Sequence, residues 1–198
     1  QQNITVIPNF VPNGWMGQLY DKNKIITAFK QNRNKPRILY TGSGAHYDVD
    51  NKTGGKDDLS EVRDLIRKTV NKYQWIFVGA FPPQLVDLVQ QKKIEFYPWQ
   101  PLLKYPYFIN SLNAQLMVAP LQINEFNKAK SDIKFIEACV LGIPCLCQDM
   151  DTYNSAPEPL RFSSVGEFEQ KIASILNWKN KANYYNNIQG LRAIGQKR

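Results

Sequence analysis

Short, continuous runs of apolar residues alternate along the chain with segments in which apolar residues recur at helical spacing. Strands that are apolar throughout and alternate with helices are typical of a parallel sheet that is covered on both faces. The pattern therefore predicts an α/β fold, a Rossmann-like doubly wound parallel sheet. The runs predict five buried strands, at residues 37–41, 75–79, 94–98, 114–119 and 143–147. The helices are predicted to begin near residues 59, 83, 102, 131, 165 and 181.

A chain of 198 residues suits one globular domain with at most a small appendage. We predict an interdomain hinge and lead-in segment at residues 1–30, the Rossmann-like domain at 31–178 and a C-terminal helix at 179–198. The polar, glycine-rich stretch at residues 51–58 predicts a mobile loop over the carboxyl edge of the sheet. The opening residues resemble the middle of a longer protein.

The net charge of +8 would suit nucleic acid, an anionic membrane surface or a small ligand that carries phosphate. We expect no nucleic-acid partner, because the chain has no RGG tract, zinc finger or repeat of basic and aromatic residues. No apolar run approaches the roughly 18–20 residues that a membrane helix needs. Three cysteines without a CxxC pair predict buried thiols in a reducing cytoplasm and no metal site.

Open parallel sheets bind ligands at the carboxyl ends of their strands, so the loops after the strands are the candidates for a site. After the first strand come Gly42, Ser43, Gly44 and His46, and glycines there let backbone amides approach a phosphate. The GxGxxG fingerprint of NAD sites is absent, because Tyr47 takes its last glycine position. His46 is the only histidine, and both a structural role and a ligand contact stay open.

The stretch from residue 120 to 142 carries the strongest pattern. A predicted helix begins near Ser131, which is placed to cap it, and Lys130 and Lys134 add positive charge beside its N-terminus. This combination suits a diphosphate, and Glu137 further along could accept hydrogen bonds from a ribose diol. A capped surface helix in which Glu137 pairs with Lys134 is an equal alternative.

Aromatic residues follow the third strand. Tyr97 and its neighbours Phe96 and Trp99 could flank a nucleobase, although such residues more often belong to the core.

Residues 126–144 fit the pattern FN-x-AKS-x-x-K-x-x-E-x-x-x-x-G-x-P and resemble the donor-site signature of group 1 (GT4-like) glycosyltransferases. Residues 6–9 and 42–46 are similar to two further segments of that family. The resemblance implies a GT-B fold in which this chain is the C-terminal, nucleotide-sugar-binding domain. The donor-binding residues that it implies, together with the patterns above, are Gly42, Ser43, Gly44, His46, Tyr97, Lys130, Ser131, Asp132, Ile133, Lys134 and Glu137.

The resemblance further implies a cytoplasmic enzyme of polysaccharide biosynthesis. It would transfer a sugar, with retention of configuration and without a metal or other cofactor, from a UDP- or GDP-linked donor to a cell-surface saccharide or lipid-linked acceptor. The isolated domain would be inactive, because the N-terminal acceptor-binding domain lies outside this chain; contact with an anionic membrane is a further possibility. No catalytic residue is identified. Ala129, where many relatives carry glutamate, leaves open a degenerate module that binds nucleotide without transferring sugar.

Overall fold

A computed structural model describes residues 11–12, 15, 22–32, 34–47, 57–177 and 181–195, and it contains one six-stranded parallel sheet. The strand order is β3-β2-β1-β4-β5-β6. This order confirms the predicted Rossmann-like, doubly wound sheet. The strands are β1 (Arg37–Gly42), β2 (Gln74–Gly79), β3 (Ile94–Pro98), β4 (Leu116–Ala119), β5 (Cys145–Gln148) and β6 (Arg161–Phe162).

Helices connect and flank the strands in the described part of the chain. They are α1 (Lys22–Gln31), α2 (Arg63–Thr69), α3 (Val86–Gln90), α4 (Tyr105–Ser111), α5 (Glu125–Lys128), α6 (Ile133–Leu141), α7 (Val165–Ile175) and α8 (Lys181–Gly195).

All five predicted strands are present, whereas several helices begin later than predicted. The prediction from residue 59 failed for α2 because the Asp57 side chain accepts a hydrogen bond from the Leu59 backbone and holds a turn before the helix. Strand β6 and helix α5 were not predicted, because two and four residues are too short to show a periodic pattern. Helix α1 was not predicted either, since residues 1–30 were expected to form a hinge and lead-in segment.

Two of the predicted segments fall partly or wholly outside the described residues. The predicted hinge at 1–30 is described mainly through α1, and the predicted mobile loop at 51–58 only through Asp57 and Asp58. Both of these aspartates are buried, which corrects the expectation that they belong to a mobile polar loop. Each is held by hydrogen bonds to neighbouring segments.

The core consists of two apolar layers, one on each face of the sheet. Alternate residues of a strand enter opposite layers, as Leu39 and Ile38 of β1 show. Helices α2 and α3 pack in the layer of Ile38, and α4, α6 and α8 pack in the layer of Leu39. None of the described helices is long and apolar enough to cross a membrane.

The order of the strands reverses between β1 and β4, and a crevice opens there at the carboxyl edge. The neighbouring end of β2 requires glycine. Gly79 has a φ of +98°, and a Cβ added to it would lie 2.4 Å from the carbonyl oxygen of Gly42. The same oxygen accepts a hydrogen bond of 2.8 Å from the Ala80 backbone. The crevice is therefore bordered by two strand ends in close backbone contact.

We expect Gly79→Ala to destabilise the domain by about 2 kcal/mol or more, because the new methyl group would collide with backbone at a positive φ. For a domain of this size the melting temperature should fall by about 4–8 °C. Gly44→Ala is the matched control, because an added Cβ there meets nothing within 4 Å. Its melting temperature should stay within about 2 °C of wild type in a thermal scan. Equal losses in the two variants would contradict the role given to Gly79.

Candidate functional site

A cavity of about 250 Å³ lies at the carboxyl edge of the sheet, between the end of β1 and the first turns of α6, a helix that comes after β4 in the chain. Its walls come from three places: the end of β1 with the loop after it, the segment from β3 into α4, and the first turns of α6. Val78 of β2 completes the lining. The lining residues are Thr41, Gly42, Ser43, His46, Val78, Trp99, Gln100, Leu102, Tyr105, Ile133, Lys134 and Glu137.

The first wall is the tight turn that follows β1. Gly42 ends the strand, and a Cβ on it would lie 2.8 Å from the Tyr40 ring, so the chain passes too close for a side chain. A single 3₁₀ turn, Gly44–His46, then brings the histidine back toward the cavity. Gly44 itself is exposed. The glycine turn thus presents backbone and one imidazole to the crevice.

Another of the three walls is formed by the N-terminus of α6. Its N-cap is Asp132 and not the predicted Ser131, and no side chain caps it. The Asp132 side chain is instead hydrogen-bonded to Ser155. In α5 and α7, by contrast, Asn124 and Ser164 accept a backbone N–H at the N-terminus. Because the first amides of a helix need acceptors and carry partial positive charge, an uncapped end beside a cavity suits an anion.

Lys134, in the first turn of α6, adds a full positive charge to this wall. Its Nζ lies 4.4 Å from the centre of the Tyr40 ring and 3.5 Å from the Tyr40 hydroxyl. Burial lowers the pKa of Lys134 to about 8, although the negative charge of Asp58 opposes this effect. An anion in the cavity would restore what the amine has lost in solvation.

Glu137 lies on the same helix, in the turn after Lys134. Its Oε2 accepts a hydrogen bond of 3.2 Å from the Tyr105 hydroxyl. Burial raises the pKa of this carboxyl to about 7, against lowering effects of the Tyr105 hydrogen bond and of the Lys134 charge. The alternative of a surface glutamate paired with Lys134 is wrong, since Glu137 lines the cavity and is hydrogen-bonded to Tyr105.

The loops after β1 and β4 are tied together by Asp58, which the sequence analysis did not select. Its Oδ1 accepts hydrogen bonds from the Gln122 backbone, at 3.0 Å, and from the Asn127 side chain, at 2.8 Å. Lys130 Nζ lies 3.4 Å from Oδ2. Burial would raise the pKa of Asp58, but the hydrogen bonds from His46 and from the Gln122 backbone and the charge of Lys130 hold it below its usual value. A negative charge is therefore fixed behind the cavity wall.

The cavity brings together six of the predicted donor-binding residues, and their binding role stays a prediction. These six are Gly42, Ser43, His46, Ile133, Lys134 and Glu137.

The other five predicted residues do not line the cavity. Tyr97 is hydrogen-bonded to Glu95 and packs on Phe108, while its neighbour Trp99 is 67% exposed at the cavity. Lys130 faces Asp58, as described above. The five residues are Gly44, Tyr97, Lys130, Ser131 and Asp132.

Several cavity residues were missed because the spacing along the chain does not show which residues meet across the sheet. Tyr105 approaches Glu137 over 32 positions, and Asp58 approaches Asn127 over 69. Trp99 was named with the aromatic stretch at the end of β3, but Tyr97 was chosen from that stretch as the donor-binding residue.

The three cysteines are buried free thiols, as predicted, and Cys145 Sγ lies 3.6 Å from Cys147 Sγ. Within the described residues, no group of three or more His, Cys, Asp or Glu side chains could hold a metal ion.

Solved structures share this fold, although no protein-family model matches the sequence and a search of curated sequences finds no match. WaaG, a glycosyltransferase involved in lipopolysaccharide biosynthesis, superposes with a TM-score of 0.60 at 14% identity, over 96% of this chain and 51% of WaaG. HepE of Anabaena, in complex with UDP and glucose, superposes with a TM-score of 0.62 at 12% identity, over 98% of this chain and 52% of HepE.

The catalytic domain of cholesterol-α-glucosyltransferase from Helicobacter pylori gives a TM-score of 0.53 at 17% identity. The match covers 82% of this chain and 99% of that one. The chain therefore has a fold found in glycosyltransferases, and it spans about half the length of WaaG and HepE.

The raised pKa of Glu137 predicts a specific dependence of stability on pH. A carboxyl whose pKa is raised by folding stabilises the protein below pH 4.5, and this contribution is lost as the pH rises to about 7. In Glu137→Gln the side chain at this position stays neutral over the whole pH range. We therefore expect its free energy of unfolding, relative to wild type, to increase by about 2–3 kcal/mol between pH 4.5 and 8.

Urea unfolding at several pH values measures this difference. Glu125→Gln is the control, because the Glu125 side chain is 90% exposed and its ion pair with Lys128 lies at the surface of α5. Its difference from wild type should vary by less than about 1 kcal/mol over the same range. A flat profile for Glu137→Gln would show that this carboxyl is not buried as described.

Proposed function

We propose that this chain is the C-terminal, donor-binding domain of a retaining GT-B glycosyltransferase, and that its crevice holds a UDP- or GDP-linked sugar. The observation that carries the proposal is the meeting of three features in one cavity: a glycine turn, an uncapped helix N-terminus with Lys134, and Glu137 further along the same helix. Each corresponds to one part of such a donor.

The diphosphate would lie against the N-terminus of α6. Backbone amides and the Lys134 ammonium group offer it hydrogen bonds and positive charge, and the turn at Gly42 and Ser43 allows close approach of backbone. Glu137 lies one turn beyond Lys134 on the same helix and also lines the cavity, and the ribose would lie beside it. Its carboxylate can accept hydrogen bonds from both hydroxyls of that ribose.

The nucleobase would lie beside the exposed indole of Trp99, since aromatic faces stack on bases. HepE, which has the same fold, has been determined with UDP and with UDP-glucose, which supports a nucleotide sugar as the ligand.

The enzyme would transfer the sugar to a cell-surface saccharide or a lipid-linked acceptor. Its acceptor-binding domain would supply the second wall of the cleft, because transfer requires aligned reactants and exclusion of water. The isolated domain is therefore proposed to bind nucleotide without transferring sugar, in the cytoplasm or at the inner face of an anionic membrane.

A degenerate nucleotide-binding module is the second candidate, and Ala129 is the residue that favours it. Ala129 is exposed at the C-terminal end of α5, eight positions before Glu137, where related enzymes carry a first glutamate. Activity of the full-length protein distinguishes the two candidates.

Loss of the Glu137 carboxylate should weaken nucleotide binding. Because hydrogen bonds to a charged group contribute roughly 1.5–3 kcal/mol, Glu137→Ala should weaken UDP or GDP binding by about 10- to 100-fold. The preference for the ribonucleotide over its 2′-deoxy form should largely disappear. Calorimetry on wild type and variant with each nucleotide measures both effects, and Glu125→Ala is the exposed control. Four equal affinities would remove Glu137 from the site.

Nucleotide affinity should also fall at alkaline pH, because the pKa of Lys134 is about 8. Between pH 7.5 and 9.5 the free protein loses the proton of Lys134, and we expect the Kd for UDP to rise by about 3- to 10-fold. Lys134→Arg should bind without this dependence, because a guanidinium stays charged.

Lys134→Ala should bind weakly at every pH. Lys93→Ala, an exposed lysine that precedes β3 at the opposite edge of the sheet, should behave like wild type. If the affinity for UDP still falls at alkaline pH in both Lys134 variants, the pH dependence belongs to another titrating group.

A further inference from the structure

The imidazole of His46 is held from behind by a carboxylate that does not line the cavity. His46 Nδ1 lies 2.6 Å from Asp58 Oδ2, and the two side chains are 18% and 6% exposed. The backbone supports this pair, because the Asp58 amide donates a 3.2 Å hydrogen bond to the His46 carbonyl oxygen. The ring also meets the Tyr40 ring edge-on, at 6.5 Å between centres. The position of the imidazole is therefore fixed on two sides.

This arrangement determines where the protons of the imidazole lie. Asp58 keeps its negative charge, since it accepts hydrogen bonds from Gln122 and Asn127 and lies near Lys130. A carboxylate only accepts, so the proton between the two groups belongs to Nδ1. When the ring is neutral, Nε2 then carries a lone pair.

The surroundings also favour the neutral ring. The hydrogen bond to Asp58 raises the pKa of His46. Burial and the positive charges of Lys134 and Lys130 lower this pKa by more, so that it lies below the ordinary value for histidine. Near neutral pH, the ring of His46, a residue that lines the cavity, thus has a hydrogen-bond acceptor at Nε2.

We propose that Asp58 is a positioning residue that holds His46 in the Nδ1–H form, so that Nε2 accepts a hydrogen bond from a hydroxyl group of the donor's sugar. The inference rests on the proposed function. Nε2 with a lone pair accepts a hydrogen bond, which a sugar hydroxyl can donate and an ionised phosphate cannot. Lys134 and the N-terminus of α6 remain for the diphosphate, and Glu137 for the ribose.

The first experiment measures the tautomer. His46 is the only histidine of the chain, so the ¹⁵N resonances of its ring need no assignment. In wild type at pH 8 we expect Nδ1 protonated and Nε2 unprotonated. In Asp58→Asn the population with a protonated Nε2 should increase. A protonated Nε2 in wild type would overturn the inference without any variant, even if Asp58→Asn fails to fold.

The second experiment compares UDP with UDP-glucose by calorimetry. His46→Asn keeps an N–H donor toward Asp58 but removes Nε2. Both His46→Asn and Asp58→Asn should weaken UDP-glucose binding by about tenfold and UDP binding by less than about twofold. The double variant should lose no more than either single variant, because Asp58 acts through His46.

The outcomes separate this inference from the proposed function. If neither UDP nor GDP binds to wild type, the proposed function fails, whatever the tautomer is. If UDP binds but both variants weaken UDP and UDP-glucose equally, or if the two losses add in the double variant, Asp58 does not position His46 for a sugar hydroxyl. Addition of UDP-glucose, but not of UDP, should shift the Nε2 resonance of wild type.

Discussion

Because β1 and β4 are neighbours whose connecting helices lie on opposite faces of the sheet, no helix closes the space between their carboxyl ends. The candidate site depends on this opening. The glycine turn after β1 and the N-terminus of α6, which comes after β4 in the chain, both border the cavity. The close approach of Gly79 to Gly42 keeps the adjoining strand ends together.

The electrostatics of the crevice follow from its burial. An amine and a carboxyl lie one helical turn apart, and burial moves the pKa of each toward neutrality, to about 8 for Lys134 and about 7 for Glu137. A ligand with a diphosphate and a diol would supply an anion to the first and hydroxyl donors to the second. Lys134 and Glu137 are therefore groups that a nucleotide would stabilise in their charged forms.

Asp58 connects this electrostatic arrangement to the fold. It holds the loop after β1 to the loop after β4 through Gln122 and Asn127, and it orients the imidazole of His46. One buried carboxylate thus contributes both to the closure of the crevice floor and to the hydrogen-bonding character of its wall.

The class of the fold and the choice of six residues that line the cavity follow from the sequence alone. Continuous apolar strands alternating with helices specify a covered parallel sheet, and Lys134 and Glu137 share a helix, so their spacing follows from the helical repeat. Tertiary structure decided what local spacing cannot contain. It placed Tyr105 against Glu137 and Trp99 rather than Tyr97 at the cavity, and it buried Asp58 beside His46. These contacts join residues from segments that follow different strands, and only the packing of the sheet determines which of these residues meet.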